Sequence, residues 1–171
     1  RLSKLSRQHK TLALACYRTT ESLANYVQTL PATRYTLYAR PLGFLQLALN
    51  RGIIALEQGL ELYGHKFSEG RESLEIAQQV ELFALFAAAL LSEIGLLKAR
   101  FHISVYNTER QSRDYDPYAG SLLDQGAYFS YEFYVHDSCL ASAPNHLILG
   151  RQVLEDTALS HAHSTFAWLS E

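Results

Sequence analysis

The stretch Phe83–Lys98, FALFAAALLSEIGLLK, decides the fold. From Leu82 to Leu91 the chain carries no charge, and the first polar side chains after it are Ser92 and Glu93. A helix that is apolar all round belongs in the middle of a bundle, covered by other helices. The uncharged run is about half of the roughly 20 residues that a helix needs to cross a bilayer. Glu93 follows it closely, so a buried helix is expected rather than a membrane span. The helix is expected to run from Arg71 to about Leu97. Glu69, Glu72 and Glu75 near its start suit the positive end of a helix dipole.

Working outward, Leu2, Leu5, His9, Leu12, Cys16, Thr19, Leu23, Tyr26 and Leu30 alternate three and four apart, which predicts one helix over residues 1–30, ended by Pro31. Residues 31–43 (PATRYTLYARPLG) read as a loop. Leu45, Leu49, Ile53, Leu56 and Leu60 predict a helix from about Phe44 to Leu62, with Gly52 and Gly59 allowing close packing. Phe101 to Val105 is β-prone, and one short strand or hairpin is expected there. Residues 121–141 and 145–159 are expected to be helical, separated by Pro144, with Trp168 and Leu169 closing the chain on an apolar contact. The expected fold is mainly α: a single-domain, five- or six-helix bundle over residues 1–171 with a minor β element.

At 171 residues the chain is long enough for one sizeable core, and 48% hydrophobic with 19% charged is ordinary for a globular domain. A net charge of -2 gives no global attraction to nucleic acid or anionic membrane. Arg1, Lys4, Arg7 and Lys10 nonetheless form a local stripe at spacing three, and two readings stay open: a solvated helix face, or a surface that contacts DNA phosphates. Cys16 and Cys139 are far apart in apolar or small-residue surroundings and are expected to be reduced thiols. The charged start of the chain does not read as a signal peptide, so a cytoplasmic location is expected. A chain that opens on Arg1 and has no methionine is expected to be a piece of a larger protein.

Four segments, in order, carry a family resemblance: LPATRYTLYARPLGFLQLALNRGIIALE, FALFAAALLSEIGLLK, YDPYAGSL and FAWLSE. Together they resemble the HD-like domain of MobH-type relaxases, the TraI-like helicases of integrating conjugative elements, over roughly residues 28–171. In that family the corresponding segments are a Leu-Pro-Ala-Ser start with a His-rich turn and a His-bearing helix, an apolar helix ending Leu-Leu-His-Asp-Ile-Gly-Lys, a Trp-x-Pro-x-x-Gly-Ser-Leu turn and a closing Trp-Leu-Ser. The resemblance implies an HD-like bundle whose histidines and aspartates hold one or two metal ions that activate water against a phosphate.

Carried onto this chain, the His-rich turn falls on Tyr38 and Arg40, the helix-borne His on Leu47, and the His-Asp pair on Ser92 and Glu93. Only Glu93 is a usual metal-binding side chain; leucine coordinates nothing and a neutral serine hydroxyl is a poor substitute for imidazole. The resemblance therefore implies a degenerate domain with no metal or other cofactor and no catalytic residue of its own. An ion pair between Arg40 and Glu93 across the former metal position is one expectation; Arg40 exposed in its loop and Glu93 solvated is the other.

Other constellations are weaker. His136–Asp137 lies in YEFYVHDSCL, outside the apolar helix where such a pair belongs, and His161 and His163 are two apart. His65 and His102 read as surface residues. No CxxC, HExxH, GxSxG or phosphate-loop spacing occurs. Tyr115, Tyr118, Tyr128, Tyr131 and Tyr134 cluster in sequence without interleaved Arg or Lys, so packing is favoured over stacking on single-stranded DNA.

The expected function is that of a non-catalytic HD-like domain in a conjugation protein, acting in scaffolding, partner binding or DNA positioning. Two alternatives remain open: a metal-dependent phosphohydrolase or nuclease with rearranged ligands such as Glu93, His136 and Asp137, and a helical interaction domain of unrelated origin. DNA or other conjugation proteins, reached through the rest of the full-length chain, are the expected partners, with no membrane association.

Overall fold

A computed structural model describes residues 9–63, 74–134 and 143–155. Helix α1 spans Lys10–Val27 and buries Leu12, Cys16, Thr19, Leu23 and Tyr26, the face that the three-and-four spacing predicts. Thr19 sits in that face because its hydroxyl donates back to the Ala15 carbonyl at 3.0 Å, leaving no unsatisfied donor. The expected helix start before residue 9 lies outside the described residues.

Helix α2 spans Gly43–Leu62 and packs along α3, Ile76–Leu90. Glycine sets how close they come: a Cβ at Gly52 would lie 2.9 Å from the Phe86 ring. Helix α3 starts on a capping box in which the Glu75 N–H donates to the Gln78 side chain at 2.9 Å and the Glu75 carboxylate accepts in return.

The central helix is shorter than its apolar pattern suggests. It ends at Leu90 rather than about Leu97, passes through a turn at 91–93 and a 3-10 turn, Ile94–Leu96, and resumes as the short α4, Leu97–Arg100. Ser92 marks the break, its hydroxyl folding back to donate to the Ala89 carbonyl at 2.9 Å. Ile94 and Leu97 stay buried across the bend, so hydrophobicity continues where the helix does not. Counted with its turns, Ile76–Arg100 is long and apolar enough by composition to cross a membrane, but more than half of its most apolar window is buried inside the molecule.

Strands β1 (Phe101–Tyr106), β2 (Ser112–Asp114) and β3 (Tyr128–Phe133) form an antiparallel sheet in the order β2–β1–β3. The expected strand or hairpin is present as the β1–β2 hairpin, β3 is a third strand that was not expected, and the helix expected over 121–141 is corrected. Only Leu122–Gln125 (α5) is helical there, and the described part of the remainder forms β3, paired with β1 from Phe101↔Phe133 to Tyr106↔Tyr128. Four aromatic residues in YFSYEF, with Phe129, Tyr131 and Phe133 on one face of the strand, suit a pleated surface.

Helix α6, Ala143–Glu155, matches the expected last helix, with Pro144 in its first turn, where proline is tolerated, rather than before it. It packs on α1 and on the turn at 94–96. Trp168 and Leu169 lie outside the described residues. One hydrophobic cluster takes side chains from α1, α2, α3, β1 and α6. The fold is mainly helical with a small antiparallel sheet.

Candidate functional site

The break at the end of α3 puts Ser92 and Glu93 at the rim of the bundle, opposite the first half of α2. Leu47 and Arg51 are four residues apart on α2 and share a face. Arg51 reaches across to Glu93, its Nη1 2.7 Å from Oε1, and also donates to Ser92 Oγ at 3.1 Å. From the other side Arg100, at the end of α4, donates from Nη1 to Glu93 Oε2 at 2.5 Å and to the Ala32 carbonyl at 3.3 Å. The Glu93 side chain is only 14% exposed. Burial alone would raise its carboxyl pKa, but the Arg100 charge and the hydrogen bonds from both guanidiniums outweigh that and hold it below the ordinary value.

The loop from 31 to 42 borders this cluster. The Tyr38 hydroxyl accepts from Asn50 Nδ2 at 3.0 Å. Arg40 donates from Nε and Nη2 to Gln46 Oε1, at 3.2 and 2.9 Å. The expected Arg40–Glu93 pair is therefore corrected. Glu93 does gain a cationic partner, but the partners are Arg51 and Arg100, which sequence reasoning missed. Their signals were there: Arg51 follows Leu47 by one helical turn, and Arg100 follows Glu93 by two.

Tyr38, Arg40 and the Ser92–Glu93 pair each hydrogen-bond to a side chain of α2, Asn50, Gln46 and Arg51 respectively, and Leu47 lies on the same stretch of that helix. Its donor set does not fit a metal ion. The one carboxylate is already neutralised, and a dication placed there would face two guanidiniums. Among the described residues no group of three or more His, Cys, Asp and Glu is placed to hold a metal.

No family model, curated protein or solved structure matches this chain.

Lys10 opens α1 exposed to solvent, while Arg1, Lys4 and Arg7 of the same stripe lie outside the described residues. So do His65, His136, Asp137, Cys139, His161 and His163. His102 is exposed on β1, its Nε2 3.8 Å from Asp114. The tyrosine cluster divides by burial, with Tyr118 half-buried. Tyr115 is buried, its hydroxyl donating to the Gly120 carbonyl at 3.3 Å, whereas Tyr128, Tyr131 and Tyr134 are exposed. No Arg or Lys is interleaved among these tyrosines in sequence, but the fold brings Lys98 Nζ to 5.0 Å from the Tyr118 ring centroid and Arg34 to 5.3 Å from that of the neighbouring Phe133.

Proposed function

We propose that this chain is a non-catalytic, HD-like domain whose former metal position is filled by an arginine–glutamate–arginine cluster, and that it acts as a scaffolding or partner-positioning module within a DNA-processing protein of the conjugative relaxase type. The observation that carries this reading is Glu93 held between Arg51 and Arg100. In an HD site a dication binds carboxylate and imidazole from several helices together. Here two guanidiniums supply the positive charge and link the same regions, joining α2, the end of α3, α4 and the loop at Ala32. Such a cluster organises the fold without a Lewis acid. The family membership within this reading rests on the resemblance of the four sequence segments and on the gathering of their marked positions around α2.

The test is metal content and hydrolysis. The protein is incubated with Mn²⁺, Ni²⁺ or Zn²⁺, passed through a desalting column and analysed for metal, then assayed on bis-p-nitrophenyl phosphate and on a DNA oligonucleotide. Substoichiometric metal and no turnover are expected. Stoichiometric metal with turnover abolished by Glu93→Gln would overturn the proposal in favour of a metal-dependent phosphohydrolase.

A further inference from the structure

The loop between α1 and α2 places apolar side chains in solvent while its backbone is thoroughly fastened. Tyr35 is 85% exposed, Leu37 72% and Leu42 45%. The Ala32 N–H donates to the Tyr38 carbonyl at 3.0 Å, Ala39 to Thr36 at 2.9 Å, Leu42 to Thr29 at 3.1 Å and Phe44 to Leu30 at 3.0 Å. Gly43 permits this closure, since a Cβ there would fall 2.0 Å from the Tyr38 carbonyl oxygen. Arg34 fastens the outer edge by donating to the carbonyls of Phe133 and Tyr134, both at 3.0 Å. The loop gains nothing for its own fold by exposing Leu37. Leu42 even adopts a φ of 65°, where a bulky residue is strained and glycine would fit more easily.

Among the described residues, the charge carried by this loop is one-sided. Arg34 and Arg40 are exposed and hydrogen-bond only to neutral oxygens among the described residues. No acid occurs between Thr29 and Arg51, and Glu93 beside them is already matched by two arginines. Arginine and tyrosine are the residue types enriched at protein-binding hot spots, the exposed leucines add apolar area beside them, and a backbone already fastened lowers the ordering cost of binding. A nucleic-acid surface would be more polar and more basic, and would not need Leu37 and Leu42.

We infer that the 33–42 loop is a docking site for a partner protein segment that carries carboxylates beside large apolar side chains. The carboxylates would meet Arg34 and Arg40, and the apolar side chains would cover Tyr35, Leu37 and Leu42. This deepens the partner-binding side of the proposed function and rests on it. Metal-dependent hydrolysis would remove that function yet leave loop-dependent peptide binding intact, whereas loss of loop-dependent binding would leave the filled metal position untouched.

The experiment is selection of random displayed peptides of about twelve residues on the whole protein, followed by affinity measurement with synthetic copies. Selected peptides are expected to combine Asp or Glu with Leu, Phe or Trp. Their affinity is expected to fall about tenfold or more for Leu37→Ser and for Arg40→Glu, and to weaken with added salt. Both positions are exposed, and circular dichroism checks that the variants remain folded. Peptides without acidic enrichment, binding equal to the parent's in both variants, or no selected peptide would each overturn the inference. So would tighter binding of an oligothymidylate or oligouridylate that is lost in the same variants, which would identify a nucleic-acid surface.

Discussion

Glu93 is one side chain whose environment can be read as free energy. Glu93→Gln keeps the shape but leaves Arg51 and Arg100 around a neutral amide. Removing one partner from a partly buried cluster costs less than from a fully buried one, because solvent screens Arg51. A loss of about 1–2 kcal/mol in urea unfolding at neutral pH is expected. The pH dependence has a fixed sign. The folded carboxyl titrates below the ordinary value of 4.5, so its contribution is fully present above that value and is lost as pH falls through the folded pKa. The gap between parent and Glu93→Gln should therefore close on acidification; a gap that persists at low pH would show that the arginines do not set the stability of this carboxylate. Cys16 gives a second check at this scale. Burial pushes its thiol up to about 12, so in a Cys139→Ser background a disulfide reagent at pH 8 should modify it no faster than the protein unfolds. Fast modification of the native protein would contradict that burial. At this scale the sequence named the right carboxylate and the wrong arginine. The resemblance favoured Arg40, which falls on the family's His-rich turn, while the bend after Leu90 swings Glu93 toward Arg51 and Arg100, and no periodicity announces a bend inside an apolar run.

At the scale of elements, the helices were legible wherever one face is buried and another is wet. The α1 stripe and the α2 bounds were read almost to the residue, and Gly52 and Gly59 were recognised as contact points. The first half of α2, however, buries Phe44, Ala48 and Gly52, one residue before the predicted Leu45, Leu49 and Ile53, which are half-buried. A Cβ at Gly52 would meet the fully buried, rigid Phe86 ring at 2.9 Å, and one at Gly59 the end of the equally buried Leu82 at 2.6 Å. Gly52→Val should force α2 from α3 and cost about 2 kcal/mol, the usual scale of overpacking, despite the better helix propensity. Unchanged stability by chemical denaturation would mean that the two helices do not meet as closely as this. The misread element was β3. In YFSYEF the aromatic residues occur often enough to imitate a helical stripe, and the pairing that makes it a strand comes from β1, more than twenty residues earlier. Gly126 was the available signal: a side chain there would come within 3.0 Å of the Tyr106 carbonyl, so the glycine marks where the chain closes against β1.

For the whole molecule, the question is whether the last helix belongs to the same cooperative unit as the first. Ser22 of α1 donates to the Val153 carbonyl of α6 at 2.9 Å, a buried bond joining residues 131 positions apart. Leu149 and Val153 lie in the same hydrophobic cluster as Leu23, Phe86 and Ile94. A shared core couples distant segments, because neither can leave without exposing the other's apolar surface. Leu149→Ala should therefore lower the stability of the entire chain by about 2–4 kcal/mol. It should also shift the far-ultraviolet and tyrosine near-ultraviolet unfolding curves together, with one midpoint. An early separate transition in the variant, with the remainder unfolding at the parent's midpoint, would show instead that α6 docks as an independent unit. Cooperative loss would mean that Leu149, far along the chain from Glu93, helps hold the turn at 94–96 on which the Arg51–Glu93–Arg100 cluster is built, so that substitutions in α6 would disturb that cluster without touching any of its residues.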